Sequence, residues 1–578
     1  MTRFPVLHSV SRLQKVMLLL GAVALMACTG EPSDSSEPAA SAPTSDIPPN
    51  IVLVMFEDMS SRISAFGDPV ADTPVLDAFA EEAVRFPNTF TTAGICAPSR
   101  SALITGVHQQ TLGTMHMRTR GMAGLSGGGP MEYDAVPPPE VKAFPEYLRA
   151  LGYHTSNNGK TDYQFGDPFT VWDHNSQDDP QWWTGRKDGQ PFFAMINVYE
   201  THESFLWPEA RETDNPMESL VQARNAQTFA GRTRTTDPAA VEVPPFLPDT
   251  PVVREDIALQ YDNITFAEAR LTEIMDRLEA EGLLDKTVII VSTDHGDGLP
   301  RAKRSLYDSG IKVPLMVRFP DRRGAGTQVD DLISFLDLAP TVLRMAGGDA
   351  RAHFQGEDFI KPDLGTERTY VFGSLDRVDR FPERQKSVRD DRFKYIRNYR
   401  AELPYFRPVA FRDSLPTMGE LWRLRETDGL TEAQSRYFEA PRPRDELYDL
   451  RADPHEVVNL ADDPAHAATL VRMSGALDDW IDDVGDLSAM AETDMIAAMW
   501  PGGVQPVTQP PAFIRLSNGR VSLVSPTEGA SIGYRMSGDS GWSLYTSPIE
   551  APSGISLEGK AIRYGFKESP VSSFTAPD

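Results

Sequence analysis

The chain has 578 residues, of which 40% are hydrophobic and 24% are charged, a composition typical of a soluble protein with room for more than one hydrophobic core. Its 47 prolines and 42 glycines favour a loop-rich fold over a helical bundle. The formal net charge of −27 argues against general binding to nucleic acids or anionic membranes, because those surfaces repel an acidic protein.

The N-terminus has the pattern of a bacterial signal peptide. Basic side chains precede an apolar run, Val16–Met26, that is too short for a comfortable membrane span. The run ends at Cys28 in a sequence that resembles a lipobox, so we expect residues 1–27 to be removed and Cys28 to be lipidated. Residues 28–49 are rich in Ser, Pro, Ala and acidic residues, which predicts a flexible tether to the cell envelope, at the outer membrane or periplasmic face. Ordinary cleavage, giving a periplasmic protein, is the alternative.

Two apolar runs are each followed by acidic or imidazole side chains. Asn50–Phe56 is suited to a strand buried on both faces, and Glu57-Asp58 follows it at once. Thr287–Ser292 is a second such strand, which leads to Asp294-His295. In an α/β sheet the carboxyl ends of parallel strands build the site. The sequence therefore predicts one site at this edge of a sheet.

A short helix is predicted to begin near Cys96. Pro98 suits the first turn of a helix, and Gly106 suits its end. Cys96 would then lie at the positive end of the helix dipole, where an anion is favoured. The chain has two cysteines, and if Cys28 is lipidated Cys96 has no disulfide partner. A lone thiol in an oxidising compartment is a liability unless it has a use.

Further strands and a helix are predicted in the second half of the chain. Val313–Phe319 is predicted as a further strand, and Leu332–Met345 supplies a helix. Shorter strands are expected at Tyr370–Phe372 and Phe393–Ile396, before a long irregular region with several prolines.

The C-terminal end is predicted to be a separate β module. Residues 501–511 are rich in proline and glycine and read as a linker. Beyond them, two stretches alternate between large apolar and small or polar residues, at 532–536 and 562–566, the period of half-buried strands. We therefore predict a β-sandwich accessory module at 512–578.

The stretch Cys96-Ala97-Pro98-Ser99-Arg100 resembles the signature of type I sulfatases, in which the cysteine is oxidised to formylglycine. The resemblance covers residues 49–465, including Glu446–Leu450, and points to the carbohydrate branch of these enzymes within the alkaline phosphatase-like superfamily. It implies an α/β fold, with a mixed sheet sandwiched by helices in a catalytic domain at 50–368. A small antiparallel C-terminal subdomain would follow at 369–500.

The resemblance also implies a metal site. The family holds a calcium ion beside the formylglycine, and the matching residues here are Glu57, Asp58, Asp294 and His295, together with Cys96. Oxygen ligands suit Ca²⁺. His295 offers nitrogen, a poor calcium ligand, so a contact with the sulfate group is its alternative role.

Several further positions match the family's catalytic residues. Lys160 and Lys303 resemble sulfate-binding lysines, and Arg100 would brace the formylglycine hydroxyls. His202 would protonate the leaving oxygen. Three residues are expected to contact substrate: Arg304, Asp162 and His116. Asp162 stands where sulfatases often carry a histidine, and His116 would either supply that imidazole or bind sugar.

The function implied is hydrolysis of the sulfate esters of a sulfated polysaccharide or its oligosaccharides, such as ulvan or another marine glycan. The cofactors would be Ca²⁺ and formylglycine, the latter made by a formylglycine-generating enzyme or an anaerobic maturase. Two alternatives remain at this stage. One is a phosphodiester or phosphonate monoester hydrolase of the same superfamily, and the other is a non-catalytic glycan-binding lipoprotein.

Overall fold

The computed structural model describes residues 48–121, 128–208, 216–361 and 364–577. The signal peptide, Cys28 and nearly all of the expected tether lie outside the described residues. Within the described ranges, no helix is both long enough and apolar enough to cross a membrane.

The described residues form strands that are numbered here in chain order. They are β1 (Asn50–Phe56), β2 (Val84–Arg85), β3 (Thr89–Phe90), β4 (His154–Asn157), β5 (His174–Asn175), β6 (Phe192–Val198), β7 (Thr287–Thr293), β8 (Lys312–Val313), β9 (Leu315–Arg318), β10 (Ile333–Ser334), β11 (Val371–Leu375), β12 (Gln385–Arg389), β13 (Phe393–Asn398), β14 (Asp445–Asp449), β15 (Ala512–Arg515), β16 (Arg520–Val524), β17 (Ser531–Met536), β18 (Ser543–Leu544), β19 (Ile549–Glu550), β20 (Ser556–Ile562) and β21 (Ser572–Thr575).

The α-helices are numbered in the same way. They are α1 (Pro74–Glu82), α2 (Cys96–Thr105), α3 (Gln109–Leu112), α4 (Phe144–Ala150), α5 (Pro216–Thr228), α6 (Pro251–Ala267), α7 (Ala269–Ala280), α8 (Asp308–Ile311), α9 (Leu338–Met345), α10 (Ala410–Asp413), α11 (Pro416–Glu426), α12 (Glu432–Ser435), α13 (Ala467–Val484) and α14 (Glu492–Met499).

The main sheet has seven strands in the order β2-β9-β7-β1-β6-β4-β5. Strands β7, β1, β6, β4 and β5 run parallel, whereas β9 is antiparallel to both of its neighbours. At the centre, β1 and β7 are paired in register, with Phe56 opposite Thr293. Both strands therefore end at the same edge of the sheet, where residues 57–58 and 294–295 follow them.

Both faces of the sheet are covered by helices. Alternate side chains of β1 belong to different hydrophobic clusters, one with α2, α4 and α9 and the other with α1, α6 and α7. This explains why the strand reads as a continuous apolar run, since every residue in it is buried. Full burial of one large apolar side chain stabilises the fold by about 1.5–3 kcal/mol, so the central strands are a rigid base for a site. The expected mixed sheet sandwiched by helices is confirmed.

The C-terminal subdomain is built on an antiparallel sheet in the order β11-β12-β13-β14. One face of this sheet packs against Met473, Leu477 and Trp480 of α13. Side chains on the other face join a cluster that includes Leu306 and Tyr307 of the catalytic part. The small antiparallel sheet expected in this region is therefore present, packed beside the main sheet.

One predicted strand is interrupted. The run Val313–Phe319 was expected to form a single strand, but the structure divides it into β8 and β9 on either side of Pro314. Proline has no backbone N–H to donate to a neighbouring strand. Consistent with this break, β8 pairs with β3 and β9 pairs with β7.

Residues 512–577 contain two small antiparallel sheets, β15-β16-β19 and β18-β17-β20-β21, around one shared apolar cluster. The expectation that a strand runs through 562–566 is wrong, because β20 ends at Ile562. Tyr564 instead leaves the module and joins the core of the catalytic domain, stacked on Phe165 with ring centroids 4.9 Å apart. Alternation along this segment therefore marks burial against another domain rather than a strand.

Candidate active site

The ends of β1 and β7 bring four polar side chains into one buried group. They are Glu57, Asp58, Asp294 and His295, and none of them is more than 1% exposed. The backbone N–H of Asp58 donates to Asp294 Oδ1 (3.2 Å), which links the two strand ends. Asp58 adopts a φ of 47°, a left-handed conformation that non-glycine residues rarely take and that is concentrated at functional sites.

Helix α2 begins at Cys96 and ends at Gly106, whose φ of 66° closes the helix in the left-handed conformation. The whole helix is buried, so its positive end faces the site rather than solvent. One turn into the helix, Arg100 is 1% exposed. Its Nε donates to Asp294 Oδ2 (2.9 Å) and its Nη1 donates to Asn197 Oδ1 (2.6 Å). Arg100 therefore holds α2 against the ends of β7 and β6.

Cys96 lies within this polar group. Its Sγ is 3.2 Å from His295 Nε2 and 3.9 Å from Asp58 Oδ1. Atoms of Asp58, Cys96, Asp294 and His295 that can ligate a metal all lie within 4.8 Å of one another. Burial raises the pKa of the Cys96 thiol to about 12, although Lys303 and Lys160 act to lower it.

Two features of the group fit a bound cation. The first is Glu57 Oε1, which is buried and accepts no hydrogen bond from the described residues, its ion-pair contact with Arg100 Nη2 being 3.8 Å long. The second is His295, whose Nδ1 lies 2.9 Å from the carbonyl oxygen of Gly296 and so carries the ring proton. Its Nε2 lone pair then faces Asp58 Oδ1 at 3.1 Å. Two facing lone pairs repel unless a cation or a proton lies between them. A bound cation would also stabilise a buried carboxylate oxygen that accepts no hydrogen bond.

Two lysines bring positive charge to the group. Lys160 Nζ donates to Glu57 Oε2 (2.7 Å), and Lys303 Nζ donates to Asp58 Oδ2 (2.7 Å). Lys303 is 3% exposed and also pairs with Glu203 Oε1 (2.9 Å). Burial acts to lower the pKa of Lys303, but the groups that face it, Asp58 first and then Cys96 and Glu203, together outweigh burial and raise the pKa. Both lysines are therefore held as cations beside the carboxylates.

His202 lies beside Lys303, close to the same carboxylates. Its Nε2 is 3.4 Å from Lys303 Nζ and 4.0 Å from carboxylate oxygens of both Glu57 and Asp58. Burial, followed by the charges of Lys303 and Lys160, lowers its pKa well below the ordinary value for histidine. The imidazole is therefore positioned to contact a group that binds among these side chains.

The three residues that the sequence suggested as substrate contacts take different positions. Asp162 is half-exposed at the edge of the group, with Oδ2 3.6 Å from Lys160 Nζ. Arg304 is buried and forms a two-pronged ion pair with Glu203, at 2.7 Å for each contact. Arg304 therefore contacts the group through Glu203.

His116 belongs to a second set of charges. Its Nδ1 accepts from the backbone N–H of Arg377 (3.2 Å). Burial lowers its pKa, and the charged groups that modify it further are Glu492, Asp376, Arg377 and Lys386. None of these belongs to the Cys96 group. The structure therefore places His116 beside Arg377, outside the group around Cys96.

Two residues of the site were missed in the sequence. Glu203 binds both Lys303 and Arg304, and these partners outweigh its burial and lower its pKa to about 2. Asn197, near the end of β6, accepts from Arg100 and donates to Asn157 Oδ1 (2.9 Å) and Asn158 Oδ1 (2.8 Å). Asn197 is the second-last residue of β6, and Glu203 lies five residues beyond the end of that strand, so the end of this apolar strand was the available signal.

Comparison with known proteins agrees with this geometry. The model of the Sulfatase family matches residues 49–348, and the model "N-sulphoglucosamine sulphohydrolase, C-terminal" matches residues 301–405. An ulvan-active sulfatase of Formosa agariphila is 38% identical over 551 residues, covering 92% of this chain and 92% of the relative. The N-sulphoglucosamine sulphohydrolase of Homo sapiens is 27% identical, covering 75% of this chain and 90% of the relative.

A solved structure agrees in fold. The structure of BT4656 in complex with its substrate D-glucosamine-2-N,6-O-disulfate superposes with a TM-score of 0.53 at 18% identity, covering 77% of this chain and all of the other. The family match spans the strand ends, helix α2 and both lysines described above. The chain therefore belongs to the sulfatase family, the enzymes that hydrolyse sulfuric esters.

Proposed function

We propose that the protein hydrolyses the sulfate esters of a sulfated polysaccharide or its oligosaccharides, using a formylglycine made from Cys96 and a bound Ca²⁺. The observation that carries the proposal is the position of Cys96, the first residue of a buried helix, among three buried carboxylates and near two lysines. The 38% identity to an ulvan-active sulfatase supports a glycan, with ulvan as the first candidate.

The calcium would be held by Glu57, Asp58 and Asp294, with His295 either completing the site or contacting the sulfate group. Carboxylate oxygens suit this ion, and Glu57 Oε1, which accepts no hydrogen bond from the described residues, fits it. When bound, the ion supplies positive charge that favours an ionised hydroxyl nucleophile and neutralises charge on the sulfate.

The formylglycine requires a maturation partner, either a formylglycine-generating enzyme or an anaerobic maturase. Once its aldehyde is hydrated, this residue supplies the hydroxyl oxygen that attacks sulfur. Arg100 is the residue of this chain that fixes the helix carrying it, because its contacts to Asp294 and Asn197 prevent α2 from shifting.

The remaining residues act on the substrate. Lys160 and Lys303 place two positive charges beside the carboxylates, where they would neutralise the three sulfate oxygens as charge builds up on them. The Nε2 of His202 lies beside Lys303 and within 4.0 Å of carboxylate oxygens of Glu57 and Asp58, so His202 would contact the oxygen that leaves with the sugar.

A side-by-side assay separates this proposal from the two alternatives. We expect turnover of sulfated ulvan oligosaccharides and of p-nitrophenyl sulfate, with p-nitrophenyl phosphate turned over at least about a hundredfold more slowly. Faster turnover of the phosphate ester, or of a phosphonate monoester, would establish the second chemistry instead. A protein that binds ulvan but cleaves none of these esters would be the glycan-binding lipoprotein.

The calcium is tested by metal removal. Exhaustive treatment with EDTA should lower both the activity and the melting temperature, because a bound ion stabilises only the folded state. Addition of Ca²⁺ should restore both, and the double variant Asp58→Asn/Asp294→Asn should show no further response to EDTA. Full activity and an unchanged melting temperature after metal removal would contradict calcium here.

A further inference from the structure

His202 is held by a chain of hydrogen bonds that begins at Arg224 on helix α5. The backbone N–H of Ser204 lies 3.2 Å from His202 Nδ1, and the Ser204 Oγ lies 2.7 Å from the same atom. Because a backbone N–H can only donate, Nδ1 must accept and carries no proton. In the neutral ring the proton is therefore on Nε2, which lies 4.0 Å from carboxylate oxygens of Glu57 and Asp58. Lys303 Nζ, 3.4 Å from Nε2, can only donate, so this contact is a close approach and not a hydrogen bond.

Arg224 on α5 sets the direction of the hydrogen bond between Ser204 Oγ and His202 Nδ1. Its Nη2 donates to Ser204 Oγ at 2.7 Å. A guanidinium has no acceptor, so Ser204 Oγ accepts from it and its own hydrogen is free to point at His202 Nδ1. Hydrogen bonds in such a chain polarise one another, and a charged donor strengthens the first of them.

The surrounding contacts fix Arg224 in this role. Its guanidinium lies 3.8 Å from the centroid of the Phe205 ring and also donates to Asn225 Oδ1 (2.8 Å). Asn225 in turn donates to the carbonyl oxygen of Ser204 (2.8 Å). The short turn that carries His202 is therefore held from both its backbone and its side chains by α5.

We infer that Ser204 and Arg224 are positioning residues that hold His202 with its Nε2–H aimed at the leaving oxygen of the substrate. The inference rests on the proposed function and extends it to the class of leaving group. A hydrogen bond to the leaving oxygen matters most when that oxygen becomes strongly basic, as a sugar alkoxide does. The chain from Arg224 to His202 therefore adapts the site to sugar sulfates rather than to activated aryl sulfates.

The test compares leaving groups. For Ser204→Ala and Arg224→Gln, kcat/KM should fall about tenfold or more on ulvan oligosaccharides and phenyl sulfate, but only a fewfold on p-nitrophenyl sulfate, whose leaving group is a much weaker base. The double variant should be no worse than the more damaging single variant, because both break one chain. Ser204→Thr keeps the hydroxyl and should retain the wild-type ratio between the substrates.

Arg232→Gln is the matched control. Arg232 also lies over an aromatic ring, that of Phe266, and donates to a backbone carbonyl, but its contacts are away from His202. In Arg232→Gln, the ratio of kcat/KM on phenyl sulfate to kcat/KM on p-nitrophenyl sulfate should stay at the wild-type value. Equal losses on both aryl sulfates in the Ser204 and Arg224 variants, or multiplied losses in the double variant, would overturn the inference. If the wild-type protein cleaved no sulfate ester, the proposed function itself would fail.

Discussion

At the scale of single residues, the site depends on how its buried charges are shared. Glu203 shows this most clearly, because one carboxylate binds both Lys303 and Arg304. Removing one member of such a set leaves the others buried without compensation, which costs more than the set itself contributes. The position of Lys303 beside Asp58 therefore relies on a residue that is not itself in the group around Cys96.

The substitution Glu203→Gln tests this dependence. We expect it to lower the free energy of unfolding by about 3–5 kcal/mol, because Lys303 and Arg304 then share one buried carboxylate fewer. Turnover should fall at least about tenfold as Lys303 moves. Urea unfolding and steady-state kinetics measure the two effects.

Glu200→Gln is the control, since Glu200 lies three residues earlier and pairs with Arg270 at 3.9 Å in a more exposed position. It should change stability by less than about 1 kcal/mol. A Glu203→Gln variant that behaves like this control would contradict the shared-charge account.

At the scale of elements, helix packing contains a titratable link outside the site. Asp256 on α6 accepts from both the backbone N–H (2.7 Å) and the Oγ1 (2.6 Å) of Thr417 in the first turn of α11. Burial raises the pKa of Asp256 to about 7. The unfolded chain has the ordinary aspartate pKa of about 3.9, so the folded state binds an extra proton between these two values. This contribution to stability is complete below about pH 3.9 and is lost as the pH rises through 7.

The variant Asp256→Asn should therefore remove a pH dependence rather than the contact. Between pH 5 and pH 8, the melting temperature of the wild type should fall relative to that of Asp256→Asn, because the asparagine needs no proton to remain neutral. Glu279→Gln, at an exposed position on α7, should follow the wild type across the same range. Parallel curves for the wild type and Asp256→Asn would show that the raised pKa has no effect on stability.

The central elements were predictable because their patterns arise from burial alone. Strand β1, strand β7 and the limits of α2 follow from unbroken apolar runs and from Gly106, and the structure has all three. The group at the strand ends was equally predictable from the sequence, because neighbouring parallel strands end at the same edge of the sheet.

What the sequence did not reveal are contacts between segments that are far apart in the chain. Glu203 acquires its role from Arg304, and His116 acquires a contact with the backbone of Arg377. Tyr564 follows the same rule, because its alternating neighbours suggested a strand whereas its ring is buried in another domain. These partners are set by tertiary packing, which a local pattern does not contain.

At the scale of the whole molecule, the C-terminal module is joined to the catalytic domain by specific buried contacts. The Tyr564 hydroxyl donates to Glu146 Oε2 (2.9 Å), and Ser531 Oγ donates to Glu146 Oε1. Nearby, the Nη2 of Arg149 donates to the carbonyl oxygen of Trp542 (3.0 Å). The module therefore contributes to the core of its neighbour, which an element on a free linker would not do.

The substitution Tyr564→Ala should destabilise the catalytic domain and not only the module. Loss of a fully buried aromatic ring costs about 3–5 kcal/mol. Calorimetry should show one transition for the wild type, which moves to lower temperature in Tyr564→Ala. Tyr534→Ala, in a half-buried position within the module, should have the smaller effect. Two separate transitions in the wild type, with the catalytic one unchanged by Tyr564→Ala, would mean that the module folds independently.

The attachment of the molecule to the cell envelope is a prediction from the sequence alone. If Cys28 carries acyl chains, Cys28→Ser should release the protein from the membrane fraction with unchanged activity on p-nitrophenyl sulfate. One chain gives only marginal binding, at about 0.8 kcal/mol per buried CH₂, and the acidic protein adds no attraction to an anionic surface. Recovery of the wild type entirely as soluble periplasmic protein would contradict the lipobox and favour ordinary cleavage.

Conversion of Cys96 to formylglycine at the start of α2 is tested by mass spectrometry of the Cys96 peptide from active enzyme. We expect a peptide in which the thiol is replaced by an aldehyde, in a fraction that rises with specific activity across preparations. We also expect Cys96→Ala to abolish turnover while the protein still folds. Full specific activity from protein that contains only unmodified Cys96 would show that formylglycine is not the nucleophile.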